Sequence, residues 1–250
     1  MRIKLALRNL YISQAVIFAF LLFAYFVWFP HSFSKLGGFS ETALMLIFVD
    51  LVLGPLLVLI VYKEGKKLLR FDINVLLGIQ LFAFVFGAYS LYLKHPAYAV
   101  FSGDRFTLTN VSNVYPQQPW LQQFKTSFFS SPQFVITKLP EDHKERNALM
   151  FSVLLGGAPD IDKRPEYFEP FMPNIDAIFS KSIPINQLFQ NSKTKEKLTQ
   201  FYKQHGGKPS DYAYFPLRGN NKKDMIWVFK RSTAQAIGII DSDPWLVAKK

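Results

Sequence analysis

The chain has 250 residues, a formal net charge of +11, 26 Phe and no Cys. Without cysteine it forms no disulfides, no thiolate-ligated zinc or iron–sulfur sites and no thiol nucleophile. The positive charge does not predict a nucleic-acid surface, because the basic residues form no stripe interleaved with aromatic side chains. Hydrophobic residues make up 50% of the chain and are densest in its first hundred positions. The sequence therefore predicts a lipid-embedded part followed by a water-soluble part.

Three apolar segments in the first part are long enough to cross a membrane: 11–29, 42–62 and 73–93. At ~1.5 Å per residue each covers the ~30 Å hydrocarbon core, and neither the second nor the third has the polar face of a soluble helix. A cleaved signal peptide is the alternative interpretation of the first segment. That segment is long for this role, however, and lacks a small-residue cleavage site at its end. We therefore predict a three-helix transmembrane domain over residues 1–94.

The short loops beside these segments predict the orientation. Seven basic residues flank the segments on one side: Arg2, Lys4, Arg8, Lys63, Lys66, Lys67 and Arg70. The loop on the other side, between the first two segments, contains only Lys35. Short loops rich in Lys and Arg stay in the cytoplasm. We therefore expect a bacterial inner-membrane protein with a cytoplasmic N-terminus and, after three crossings, a periplasmic domain over residues 95–250.

Asp50 lies near the middle of the second segment, where an ionised carboxylate costs at least ~2.5 kcal/mol. Gly54 and Pro55 follow one helical turn later, and Pro55 predicts a kink. Two interpretations stay open. These three residues form a polar notch that receives a partner helix, or Asp50 is protonated and bonded to a neighbouring span and Pro55 is a tolerated kink. A transporter or an intramembrane aspartyl protease would need a second acid at the depth of Asp50. Asp72 lies instead at the cytoplasmic edge, so neither function is favoured.

The soluble part combines short strands with helices. Strands are predicted at 97–101 and 105–110 around a Gly103–Asp104 turn, at 134–138, and as an antiparallel meander at 212–217, 225–230 and 236–240. Helices are predicted at 141–151 and 185–205, with a long loop over 156–173 between them. These elements predict an α+β domain with antiparallel strands.

Residues that could carry catalysis are sparse. The four histidines have no ligand spacing, and Asp160 and Asp162 lack the glycine and glutamate of a calcium loop. Asp241 and Asp243 frame a turn, for which a cap is a simpler interpretation than a cation site. No phosphate-binding loop, GxSxG or HExxH motif occurs. We therefore predict a binding protein that is not an enzyme, with no cofactor, no metal and no small-molecule substrate.

Several features recur in order along the chain. A basic N-terminus precedes the first span, and five motifs follow: 50–57 (DLVLGPLL), 65–72 (GKKLLRFD), 96–106 (PAYAVFSGDRF), 214–218 (YFPLR) and 241–245 (DSDPW). With these features the chain resembles the type IV pilin accessory proteins of the TfpX/TfpZ type over essentially its whole length. One position departs from the family pattern, because Gly103 stands where a branched or bulkier residue is expected.

The resemblance implies an inner-membrane accessory protein for type IV pilus biogenesis. Such a protein acts on the major pilin as a chaperone-like factor without catalysis, binding it and stabilising it or modulating its assembly. A pilin waits in the membrane as one long hydrophobic helix with a periplasmic head. The membrane part would hold that helix, and the periplasmic domain would hold the head.

Six residues are the expected contacts of this partner. The span face around Asp50, Gly54 and Pro55 would contact the pilin helix, and the residues Tyr98, Asp104 and Arg105 would fix the periplasmic domain against the membrane or the pilin. Asp104 and Arg105 also have a simpler interpretation, in which Asp104 caps the turn and Arg105 is a solvated side chain. The alternative function is a membrane-anchored envelope sensor or assembly factor that binds another ligand through its periplasmic domain. A membrane enzyme is the third hypothesis, and the lack of paired acids or a nucleophile argues against it.

Overall fold

A computed structural model describes residues 2–30, 33–61, 69–114, 124–219 and 224–245, with the backbone alone at 2–10, 50, 53–61 and 69–70. Three long helices come first: α1 (Arg2–Phe23), α2 (Phe39–Val61) and α3 (Leu69–Lys94). A π-helical turn, Ala24–Trp28, prolongs α1. The three predicted apolar segments fall on these helices.

Two stretches, Tyr11–Trp28 and Phe71–Lys94, are long and apolar enough to cross a membrane, and Phe39–Val49 of α2 is a shorter apolar stretch. Large side chains such as Phe18 and Phe82 are exposed on the outside of the helices. Helices that are apolar on their exposed faces match lipid as their solvent. The N-terminal part is therefore membrane-associated. The second of the three predicted spans stays a prediction, because the side chains of its later residues lie outside the described part.

The chain after α3 folds around a seven-stranded sheet with the order β4-β3-β1-β2-β5-β6-β7. Its strands are β1 (Pro96–Ser102), β2 (Arg105–Asn110), β3 (Gln133–Thr137), β4 (Phe168–Pro170), β5 (Tyr212–Arg218), β6 (Asp224–Lys230) and β7 (Gln235–Ile240). The meander β5-β6-β7 is antiparallel, as predicted. The expectation of antiparallel strands is wrong for β1–β3 and β2–β5, which pair in parallel. Long connections precede β3 and β5, and only such connections let a strand return in the parallel sense.

The hairpin of β1 and β2 has the predicted turn. Ser102 pairs with Arg105, so Gly103 and Asp104 form a two-residue loop. Gly103 has a φ of 68°, in the left-handed region that glycine adopts without steric cost. The backbone thus explains why glycine fits at the one position that departs from the family pattern.

Among the described residues, four α-helices accompany the sheet: α4 (His143–Leu154), α5 (Ile175–Ser180), α6 (Ile185–Leu188) and α7 (Ser192–His205). The single helix predicted over 185–205 is therefore two helices. Asn191 divides them, because its side chain accepts hydrogen bonds from the backbone N–H groups of Lys193 and Thr194, at 3.0 and 3.2 Å, and caps α7. The short strand β4 lies inside the predicted loop over 156–173, and its three residues are too few to show a strand pattern.

The connection between α1 and α2 belongs to the core of the sheet domain. Phe33 and Leu36 of this connection are fully buried in one cluster with side chains of the sheet. The ring of Phe33 meets that of Trp227 edge-on, with 5.3 Å between centroids. The predicted boundary at residue 94 separates spans from strands along the chain, but the packed core includes residues from both sides of it.

Candidate partner-binding site

An apolar groove of about 260 Å³ lies between α2 and α3. Met45 and Leu46 line it from α2, and Ala83, Gly87 and Ser90 line it from α3. The three α3 residues are spaced four and three apart, so they form a stripe on one face of the helix. Small residues in such a stripe let another helix backbone approach closely, which is the main source of helix association in lipid.

Gly87 lies close against α2. A Cβ atom built there would lie 2.7 Å from Cδ1 of Leu46, so any side chain at this position must displace Leu46 and occupy groove volume. Gly78 lies on the same helix, and a Cβ atom there would have no atom of the described residues within 4 Å, apart from its chain neighbours and the backbone of its own helix. The two glycines therefore differ in surroundings although they share one helix.

A lysine closes the groove at the end nearest the sheet domain. Lys94 Nζ donates a hydrogen bond to Thr42 Oγ1 at 3.1 Å, and Thr42 Oγ1 donates to the carbonyl oxygen of Gly38 at 3.3 Å. These bonds tie the C-terminus of α3 to the N-terminus of α2. The ammonium group also interacts favourably with the dipole of α3 at its C-terminus.

The predicted notch lies next to this groove along α2. The helix is continuous through Asp50, Gly54 and Pro55, and their side chains lie outside the described residues. Val49, directly before Asp50, lines the groove. The notch itself stays a prediction. Sequence reasoning missed the groove beside it, although the spacing of Ala83, Gly87 and Ser90 carried a signal for it.

Asp104 and Arg105 lie at the far end of the sheet domain. β1 begins directly after α3, and its seven residues place the hairpin turn about 23 Å further along the strand. Arg105 Nε donates to Asp104 Oδ1 at 3.0 Å, and its guanidinium group lies 4.8 Å from the ring centroid of Trp245. Trp245 is 41% exposed, so this cation–π pair lies at the surface.

An ion pair fastens the tryptophan in place. Trp245 Nε1 donates to Asp224 Oδ2 at 2.7 Å, and Arg218 donates to both oxygens of Asp224, at 2.9 and 3.1 Å. Partial burial alone would raise the pKa of Asp224, but the hydrogen bonds from Arg218 and Trp245 outweigh it and lower that pKa. The cluster brings together three motifs that are far apart in sequence, 96–106, 214–218 and 241–245.

Tyr98 lies apart from this cluster. Its side chain is fully buried, its hydroxyl donates to the carbonyl oxygen of Phe124, and burial raises its pKa. Its ring packs edge-on against Phe168. Tyr98 therefore lies in the core of the sheet domain, and its predicted role in fixing this domain against the membrane or the pilin stays a prediction.

The helices meet the sheet domain through a group of aromatic rings. Trp28 is fully buried, and its Nε1 donates to the carbonyl oxygen of Phe128 at 2.7 Å. The indole stacks on the imidazole of His95, with 5.1 Å between centroids. His95 Nδ1 donates to the carbonyl oxygen of Tyr92, which fixes the neutral tautomer with its proton on Nδ1.

This buried imidazole predicts an acid-sensitive junction. Burial lowers the pKa of His95 from 6.5 to about 4, against a smaller opposing effect of its bond to Tyr92. Because the folded protein favours the neutral ring, its contribution is complete above pH 6.5 and is lost as the pH falls through about 4. We expect this loss to be about 3 kcal/mol of unfolding free energy. Denaturant titrations of the full chain in detergent should show it, and His95→Gln should lack that component; identical pH dependence of the two proteins would contradict it.

Comparison with known proteins yields relatives by sequence. No family model and no solved structure matches the chain. The chain is 26% identical over 229 residues to the fimbrial assembly protein of serogroup I of Dichelobacter nodosus, covering 87% of this chain and 84% of that protein. It is 31% identical over 105 residues to the fimbrial assembly protein of serogroups C1 and C2 of the same organism, covering 41% of this chain and 79% of that protein. The chain therefore belongs to the family of these fimbrial assembly proteins, in agreement with its resemblance to the type IV pilin accessory proteins.

Proposed function

We propose that this protein is an inner-membrane accessory factor of type IV pilus biogenesis that binds the major pilin, and stabilises it or modulates its assembly, without catalysing a reaction. The names of its relatives support a role in fimbrial assembly. The observation that carries the binding part of the proposal is the apolar groove between α2 and α3.

The groove suits an apolar helix as its occupant. Its lining extends along α3 from Ile79 to Lys94, about 22 Å at ~1.5 Å per residue, or about four helical turns. Both helices present apolar side chains to it, and the small residues of α3 permit close backbone contact. A pilin waiting in the membrane offers such a helix.

The sheet domain is proposed to contact the pilin head. With a cytoplasmic N-terminus and three spans, the sheet domain lies in the periplasm, on the same side as the pilin head. The exposed cluster around Asp104, Arg105 and Trp245 lies about 23 Å along β1 from the membrane end. It combines charge with an aromatic surface, a composition that recurs in protein interfaces.

Crosslinking in cells tests the groove. A photoreactive residue at position 45, where it replaces an exposed methionine of the groove lining, should crosslink to the major pilin, and the same residue at position 78 should not, because Gly78 does not line the groove. A third probe at position 50 tests the predicted notch. Crosslinks from position 45 to the chain itself or to unrelated envelope proteins, in cells that contain pilin, would overturn the proposed groove.

A further inference from the structure

The sheet domain sends one loop back to the helices with two phenylalanines at its tip. Phe128 is 45% exposed and Phe129 is 74% exposed. Large apolar side chains gain roughly 1.5–3 kcal/mol each on leaving water. Two adjacent exposed rings on one loop therefore indicate a surface that is covered by something other than water.

The loop lies beside the apolar length of α1. The ring of Phe23 stacks on Phe128 and meets Phe129 edge-on, each at 5.9 Å between centroids. Phe23 is five residues inside the apolar stretch that ends at Trp28, which corresponds to about 7 Å at ~1.5 Å per residue. Tyr92 of α3 also stacks on Phe128, at 5.5 Å. The tip of the loop thus extends past the end of the apolar stretch, towards the centre of the membrane.

Several polar groups of this loop have hydrogen-bond partners within the protein. Ser130 N donates to Ser127 O at 3.0 Å, and Ser127 N donates to Ser130 Oγ at 2.8 Å. The carbonyl oxygen of Phe128 accepts the hydrogen bond from Trp28 Nε1. Irregular backbone that is exposed to lipid does not occur within the hydrocarbon core. These bonds hold the backbone of the turn against Trp28, so the exposed side chain of Phe129 is the part of the turn that reaches the acyl chains.

The charge around the loop matches a lipid surface. Residues 105–140 contain no Asp or Glu, and Lys125, three residues before Phe128, is exposed. Anionic headgroups attract basic side chains at the membrane surface. Apolar rings next to a lysine, with no acid nearby, form the pattern of an interfacial anchor.

We propose that the turn at residues 127–130 inserts into the bilayer leaflet on the side of the sheet domain. Phe129 contacts the upper acyl chains, and Lys125 contacts anionic headgroups. Phe128 holds the turn against α1 and α3. The loop therefore attaches the sheet domain directly to lipid, in addition to the covalent link through α3, and it does so whether or not a pilin is bound.

Fluorescence quenching tests this contact. The chain has no native cysteine, so Phe129→Cys can be labelled with an environment-sensitive fluorophore and the full chain reconstituted in phosphatidylethanolamine–phosphatidylglycerol vesicles. We expect a blue-shifted emission, loss of fluorescence with lipid that carries a spin label high on its acyl chain, and protection from aqueous iodide. Ser180→Cys is the matched control. It is exposed next to Lys181, whose Nζ donates to the carbonyl oxygen of Gly103 at the far turn, so iodide should quench it and the lipid label should not.

Two results would overturn the proposal. Iodide quenching at position 129 as strong as at position 180, without lipid quenching, places the loop in water. Protection that requires added pilin, without lipid quenching, makes the loop a protein interface. Lys125→Cys gives a second readout if the label at position 129 disturbs the turn, and a headgroup spin label should quench it.

Discussion

Replacing Gly87 with leucine should reduce the capture of pilin by roughly tenfold or more, equivalent to about 1.4 kcal/mol. The first side-chain carbon would already lie 2.7 Å from Cδ1 of Leu46, and the remaining carbons would extend into a groove of only about 260 Å³. A filled groove excludes the backbone of a second helix. The measurement is the amount of pilin that co-purifies with the tagged full chain from detergent-solubilised membranes.

Gly78→Leu is the matched control for this variant. It makes the same change on the same helix, with the same gain in helix propensity, at a position where the added carbon contacts no described residue outside its own helix within 4 Å. We expect it to capture pilin as the unaltered protein does. Equal capture by both variants would contradict the groove as the binding site, and equal loss by both would show that α3 itself does not tolerate the change.

Local sequence pattern predicted most of the secondary structure. The predicted Gly103–Asp104 turn needs only residues that are adjacent in the chain, and the alternation in 212–240 predicted the three-stranded meander correctly. The parallel pairs were missed because β3 and β5 each return over a long connection, and no local pattern encodes the side of the sheet to which a strand returns. Asn191 is a typical helix-capping residue and could have predicted the break between the two helices. The apolar periodicity on both sides of it favoured a single helix instead.

The candidate site was predicted less completely. Tyr98 lies on β1, between β3 and β2, and both faces of this strand are covered, with Val100 in one cluster and Ala99 and Phe101 in another. Alternation therefore does not divide this strand into a buried and an exposed face. Asp104 was identified correctly as a turn residue and Arg105 as the first residue of the next strand, but the contact of Arg105 with Trp245 joins positions 140 residues apart. Only the folded sheet shows that these motifs form one surface.

Replacing Phe33 with alanine should lower the free energy of unfolding by about 3–5 kcal/mol. Phe33 belongs by sequence to the connection between two apolar helices, yet it is fully buried beside Trp227 in the core of the sheet domain. Leu36 of the same connection packs tightly against Gly219 of the sheet domain. A Cβ atom at Gly219 would lie 2.8 Å from Cβ of Leu36 and 2.9 Å from its backbone oxygen. The truncation leaves a cavity beside Trp227, whose ring is held in place by Phe106, Phe134 and Phe229 and cannot readily move to fill it.

Phe26→Ala is the matched control, because it removes a phenylalanine ring at an exposed position. Phe26 lies in the π-helical turn after α1 and is 69% exposed, so its truncation should change the unfolding free energy by less than about 0.5 kcal/mol. Denaturant titration of the full chain in detergent, followed by tryptophan fluorescence, measures both variants. Similar losses in the two would contradict a buried connection. A loss confined to Phe33→Ala would show that the connection between α1 and α2 is part of the folded sheet domain. The groove and the sheet domain would then be held at a fixed spacing, as a protein that binds both the helix and the head of a pilin requires.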